Sequence, residues 1–258
     1  MKYIDFHVHM DFYKKTEEII KTYEENEIYS LFVTNLPEIY KVHLKKYNDY
    51  KYVKLALGYH PEMIDYYPFN KDIFNRYFNS TNYIGEVGID GSKKFSHNID
   101  IQIKNFDYIC SKVSHEAKIM TIHSKKAEDI VLQILKKYKI KYAVFHWYSG
   151  NIKTLRYILD SGYYFSVNPC MLESQKGKEI LNNIPFDRIL FESDGPFTKY
   201  NKKITEPKNF KDIFQDFNEF YKIDNFEEIV FNNFKKIILE RQFFEQKNKI
   251  LKEITNSR

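Results

Sequence analysis

The chain has 258 residues, 43% hydrophobic and 29% charged, enough to bury a sizeable core and stay soluble, and close to the ~250 residues typical of a parallel (β/α)₈ barrel. Its net charge of +5 permits an anionic substrate without demanding one, and is below what a broad duplex-DNA patch usually brings. The two cysteines, Cys110 and Cys170, form no CxxC pair, no stretch is apolar enough to span a bilayer, and Met1 to Asp5 runs straight into a strand, so a cytoplasmic protein with no membrane partner is expected.

Strands and helices alternate. Residues 3–9 read as a first strand and 16–26 as a helix; 29–35, rich in β-formers, follows as a strand and 36–49 as its helix, with Pro37 early where proline is tolerated. Segments 52–59 and 83–87 are the third and fourth strands, the latter bounded by Gly85 and Gly88. Residues 98–116 are helical, with Ile101, Phe106, Ile109 and Val113 largely on one stripe. Strand 118–123, helix 125–138, strand 142–146, helix 152–161, strand 163–167, helix 173–183 and strand 188–194 complete the alternation, and the chain from about 206 reads as helical. Eight strands alternating with helices predict a closed α/β barrel with C-terminal helices. With no linker and no repeat, residues 1–258 are expected to form one domain. A doubly wound open sheet is the alternative, but the chain carries no GxGxxG fingerprint.

Imidazoles and carboxylates recur at the strand ends. His7 and His9 are two apart in a strand, so both rings face one side and can reach one metal, with Asp5 beneath them as an orienting carboxylate. Glu86 lies inside a strand, where a buried carboxylate needs a partner: two metals bridged by it, or a salt bridge to a buried Lys or Arg. Asp90 orients a ligand or serves as a turn residue. His123 and His146 each end an apolar strand. A lone histidine there is more often a satisfied core residue, but two on adjacent strands beside His-x-His favour ligands. Asp194 ends the eighth strand, next to the first if the barrel closes. There it can join His7 and His9 as ligand and accept a proton as general base, or merely cap the Gly195-Pro196 turn. Glu192 points the same way but deeper. This donor set predicts two divalent metal ions, and accepts Zn, Mn, Mg or Ni.

In order, IDFHVHMD, LALGYHPE, YIGEVGID, IHSKKAED, FHWYSG, SVN, IPFDRILFESDGP and NNFKKI resemble the TatD family of metal-dependent deoxyribonucleases, amidohydrolase-like TIM barrels, from about Ile4 to about Phe234. The resemblance implies that His7, His9, Glu86 and Asp194 hold one metal, that Glu86, His123 and His146 hold the second, and that His60 sits near the substrate phosphate. It departs from the family at Glu62, where a histidine is usual, at Lys125 for Arg, and at Trp147-Tyr148 for Cys-Phe. Lys125 keeps the charge for a phosphate contact but loses the bidentate fork. Trp147 and Tyr148, placed at the mouth, could stack a terminal base or pack against the outer helices. GIDGS, SVNPCMLESQKGK and ESDGPF are similar to the QatD branch, the TatD-like component of the bacterial Qat anti-phage system, which implies Qat-system protein partners. The expected function is hydrolysis of DNA at frayed ends or single strands. An amidohydrolase acting on a small ester, amide or lactone is the first alternative, although many of those bridge their metals with a carbamylated Lys where this chain has Glu86. A binding subunit of a defence complex is the second.

Overall fold

The computed structural model describes residues 2–256. Eight parallel strands lie side by side in chain order: β1 (Ile4–Val8), β2 (Tyr29–Val33), β3 (Val53–Tyr59), β4 (Tyr83–Gly88), β5 (Ile119–His123), β6 (Tyr142–His146), β7 (Tyr164–Val167) and β8 (Ile189–Phe191). Most strand residues are buried, because the inner face fills the barrel and the outer face meets helices. Between β8 and β1 the seam is held from just beyond the strand: Asp194 N–H donates to His7 O and His9 N–H to Gly195 O, both at 2.9 Å. The expected barrel is therefore observed, nearly closed.

The helices are α1 (Thr16–Glu25), α2 (Pro37–Tyr47), α3 (Lys71–Tyr77), α4 (Ile99–Val113), α5 (Glu128–Lys137), α6 (Ile152–Asp160), α7 (Gln175–Asn183), α8 (Phe210–Tyr221) and α9 (Phe226–Asn256). In α4 the predicted stripe is buried at Phe106, Ile109 and Val113, whereas Ile101 is exposed. Beyond β8, the core is aromatic: Phe191 meets Phe214 at 4.6 Å and Phe210 at 5.2 Å between ring centroids. Two elements differ from expectation. Helix α3 is short and buries one apolar residue, Phe74, so its period is too brief to see; its start is fixed by Asn70, whose side chain accepts Ile73 N–H. Strand β8 ends at Phe191 rather than Asp194, and the chain then forms a small hairpin, β9 (Lys199–Tyr200) with β10 (Lys203–Ile204).

At the opposite end of β5 from the histidines, Lys118 is buried, with its Nζ donating to Thr81 O at 2.7 Å and lying 4.4 Å from the Phe78 ring centroid. Burial brings its pKa down to about 8. Unfolding restores an ordinary value near ~10.4. Between those limits the unfolded chain holds more protons, so this residue's contribution to stability rises with pH across that window. Denaturant melts of the parent and of Lys118→Met at pH 7.5 and pH 10 should show the parent gaining on the variant at the higher pH. Parallel changes in the two proteins would count against it.

Candidate metal centre

At the C-terminal ends of the strands, five histidines surround one carboxylate. Glu86, on β4, is 1% exposed. Its Oε2 faces His9 Nε2 at 3.1 Å and His7 Nε2 at 3.4 Å, both from the β1 end. Its Oε1 faces His123 Nδ1 at 2.8 Å, His146 Nε2 at 2.9 Å and His60 Nε2 at 3.1 Å. Each oxygen thus belongs to a different set of imidazoles. Among the described residues no lysine or arginine pairs with Glu86, so the salt bridge to a basic side chain considered from sequence is not formed. Burial alone would raise the Glu86 pKa, but His60, His146 and His7 outweigh it and hold the carboxyl well below its usual range.

The neighbouring residues fix which ring nitrogen points inward. His7 Nδ1 lies 2.7 Å from Thr121 Oγ1, which leaves Nε2 facing the centre. His123 Nε2 lies 2.9 Å from Asp90 Oδ2, so that carboxylate accepts its N–H, and Nδ1 lies 2.8 Å from Glu86 Oε1, where it would offer a lone pair to a cation on losing its own proton. Asp90 is held in turn by Gln102, whose side chain accepts Asp90 N–H at 2.7 Å. Its carboxyl lies far below the usual range because the His123 and Ser92 hydrogen bonds outweigh burial. The Asp90 carboxylate thus contacts the His123 ring through one oxygen and accepts Ser92 N–H at 2.8 Å through the other, closing a turn. His60 is the inverse case: its Nδ1 accepts Glu62 N–H at 3.1 Å, so the neutral ring carries its proton on Nε2 and is a donor there.

Glu192, fully buried, accepts Trp147 N–H and Asn168 Nδ2–H, each at 3.0 Å, and the Ser166 hydroxyl; it lies 3.6 Å from His146 Nδ1. Burial lowers the His146 pKa, and the Glu86 and Glu192 carboxylates more than reverse this. Asp5 departs from expectation. Its oxygens accept Tyr23 Oη–H at 2.6 Å, Ser193 N–H at 2.8 Å and His7 N–H at 3.4 Å. It ties β1, α1 and the segment after β8 together and aligns the main chain of His7 rather than its ring. The partner of the ring is Thr121, which sequence reasoning passed over because a threonine in a strand is an ordinary β-former.

Asp194 has φ 44°, in the left-handed region, and is 4% exposed. Its main-chain carbonyl, not its carboxylate, accepts Phe197 N–H and Thr198 N–H, so capping of the turn leaves the side chain free for the centre. Oδ1 stands 3.6 Å from His9 Nε2 and 3.7 Å from His7 Nε2 and has no hydrogen-bond partner. Burial pushes its pKa up to about 7, against the pull of His146 and His9.

This set fits divalent cations. His7 Nε2 and His9 Nε2 approach to 3.2 Å, where two lone pairs repel unless a proton or cation lies between them. His9 Nδ1, His146 Nδ1 and Asp194 Oδ1 are buried without hydrogen bonds. His7, His9 and Asp194 converge within 4.8 Å, and Glu86 Oε1 lies 2.8 Å from His123 Nδ1 and 2.9 Å from His146 Nε2. Replacing Thr121 by Val keeps the shape but removes the ring's partner, and should weaken cation binding by ~10–100-fold, the usual cost of losing such support. Thr121→Ser should retain parental affinity. Calorimetric titration with Mn or Zn checks both, and equal affinity in all three proteins would remove Thr121 from the centre.

The centre floors an open cavity of about 520 Å³. Lys125, Trp147, Met63, Phe12 and Phe197 stand around it. Tyr148 does not: it is buried, edge-on to Phe165 at 5.3 Å, with its hydroxyl on Asn151 O. Trp147 has φ 36°, and this left-handed residue turns the chain so that its neighbour points back into the core.

A family profile described as TatD related DNase matches residues 4–239. A protein of Haemophilus influenzae described as a metal-dependent hydrolase is 26% identical over 205 residues, 75% of this chain and 80% of that one. A Klebsiella pneumoniae protein named 3′-5′ ssDNA/RNA exonuclease TatD is 29% identical over 119 residues, 44% of this chain and 45% of that protein. Among solved structures, a TatD homologue from Escherichia coli shares the fold with a TM-score of 0.71 at 18% identity, covering 94% of this chain and 97% of its own.

Proposed function

We propose that this chain, which belongs to the family of TatD-related DNases and is a metal-dependent hydrolase, cleaves phosphodiester bonds of DNA at single-stranded or frayed ends. The observation that carries the reading is the split environment of Glu86, one oxygen toward His7 and His9 and the other toward His123 and His146. It suits two divalent ions: His7, His9, Glu86 and Asp194 would hold one, and Glu86, His123 and His146 would hold the second. Zn, Mn, Mg and Ni all suit these donors.

Such ions lower the pKa of water toward neutrality and offset negative charge developing on the phosphodiester. Asp194, with its unpartnered Oδ1, accepts the proton that the attacking water loses. His60, a donor at Nε2, and Lys125, exposed at the rim, contact the phosphate oxygens. Trp147 stands half-buried at the same mouth, suited to stacking. An open cavity ringed by side chains suits an extended strand better than an intact duplex. The name of the Klebsiella relative agrees with that preference. We place the enzyme in the cytoplasm, in keeping with two free cysteines. A role in anti-phage defence beside other Qat components rests on the GIDGS, SVNPCMLESQKGK and ESDGPF segments. Assays of 5′- and 3′-labelled single- and double-stranded oligonucleotides with each metal test the activity, with His7→Ala as control. Hydrolysis by His7→Ala at the parental rate, or none by the parent with any metal, would overturn it.

A further inference from the structure

Two exposed aromatic rings stand together on the His9 side of the cavity. Phe12 lies in the turn after β1 and Phe197 in the turn after Asp194; they are 48% and 52% exposed. Their ring centroids are 5.3 Å apart with planes at 55°. Each meets His9 nearly edge-on, at 5.8 Å and 5.1 Å. Both belong to the wall of the cavity that His9 and Asp194 also line. Large apolar rings left side by side in water at the rim of a polar site mark a surface that something apolar covers. Neither ring carries a hydrogen-bonding group, so the surface offers a π-face and no base-specific contact.

We infer that Phe12 and Phe197 form the seat of a nucleobase beside the scissile phosphate. The inference rests on the nuclease reading and adds to it the part of the substrate that is bound. A phosphate over the histidine cluster leaves its neighbouring base within reach of these rings, which follow β1 and β8, whereas Lys125 and Trp147 follow β5 and β6. A base freed from its pair reaches such rings more readily than one held inside a duplex, which gives a physical reason for preferring a single-stranded or frayed end. Stacking also makes the seat indifferent to sequence. A purely shielding role, in which the rings keep water from His9, predicts a different pattern of losses.

The test compares oligonucleotides carrying an ordinary terminal nucleotide with ones carrying an abasic terminal unit, made for both ends, using the metal-loaded full chain. Phe12→Leu with Phe197→Leu keeps apolar bulk and removes the π-faces; both sites are half exposed, so the fold should tolerate the change. The double variant should lose about 5- to 150-fold in kcat/KM on the base-bearing end, as loss of a base–aromatic stack implies, and change little on the abasic end. Phe197→Trp in the Phe12→Leu background should restore part of the loss. Terminal 2-aminopurine should be quenched by the parent and not by the double variant. Equal losses on both substrates would assign the rings to shielding, and no loss on either would remove them from the site; both outcomes overturn the proposal and leave the nuclease reading standing. A parent that cleaves no oligonucleotide yet hydrolyses a small ester would overturn both.

Discussion

Glu86→Gln should empty both halves of the metal centre together. Among the described residues the carboxylate is the only group in contact with His7, His9, His60, His123 and His146 at once, through two oxygens that serve different rings. Gln has nearly the same volume but carries no charge, and its NH₂ group places hydrogens toward one of the two histidine sets. A cation held by that set would then face an NH₂ group that cannot coordinate it, and one held by the other set would keep only a neutral oxygen. Metal content measured on the purified variant should fall in both halves, and phosphodiester hydrolysis should fall by at least ~10²–10⁴-fold even with excess metal. Because the partners are imidazoles that can shed a proton, not a permanent cation, the folded protein should survive the change. A variant that keeps one full equivalent of metal would show that the two oxygens do not serve separate ions.

The centre was legible in the sequence because a parallel barrel gathers the C-terminal ends of its strands onto one face, and His7, His9, Glu86, His123 and His146 each lie at or near the end of an apolar run. The residues that orient them were less so. Asp5 shares the strand periodicity of His7 and His9, which suggested contact with their rings, yet its carboxylate is taken up by Tyr23 and Ser193 at the barrel seam. Thr121 reaches His7 from the far side of the barrel, 114 positions away, and no local pattern announces such a pair. Adjacency to Trp147 points Tyr148 toward the mouth, but the left-handed backbone at Trp147 sends it inward. Phe12 and Phe197 lie in turns with no periodicity, and only the closed seam between β1 and the segment after β8 brings them together.

Asp194→Asn should leave the fold intact and remove most of the hydrolysis. The turn after β8 is fixed by the main-chain carbonyl of Asp194, by its N–H on His7 O, and by Ser193 N–H on Asp5. None of these needs the carboxylate. Asn also tolerates the left-handed backbone that this position requires better than most residues do. What changes is Oδ1, which faces His7 and His9 without a hydrogen-bond partner and is the atom free to take a proton. An amide cannot act as a base near neutral pH, so the loss should reach the ~10²–10⁴-fold that a positioned acid–base group contributes, with weakened metal binding added. Thermal melting should stay within a few degrees of the parent, since none of the contacts that fix the turn uses the replaced group. Turnover should therefore be compared at saturating Mg or Mn on one oligonucleotide substrate. Near-parental turnover by folded Asp194→Asn would move the proton acceptor elsewhere, and Glu192, within 3.6 Å of His146 Nδ1, is the next carboxylate to replace.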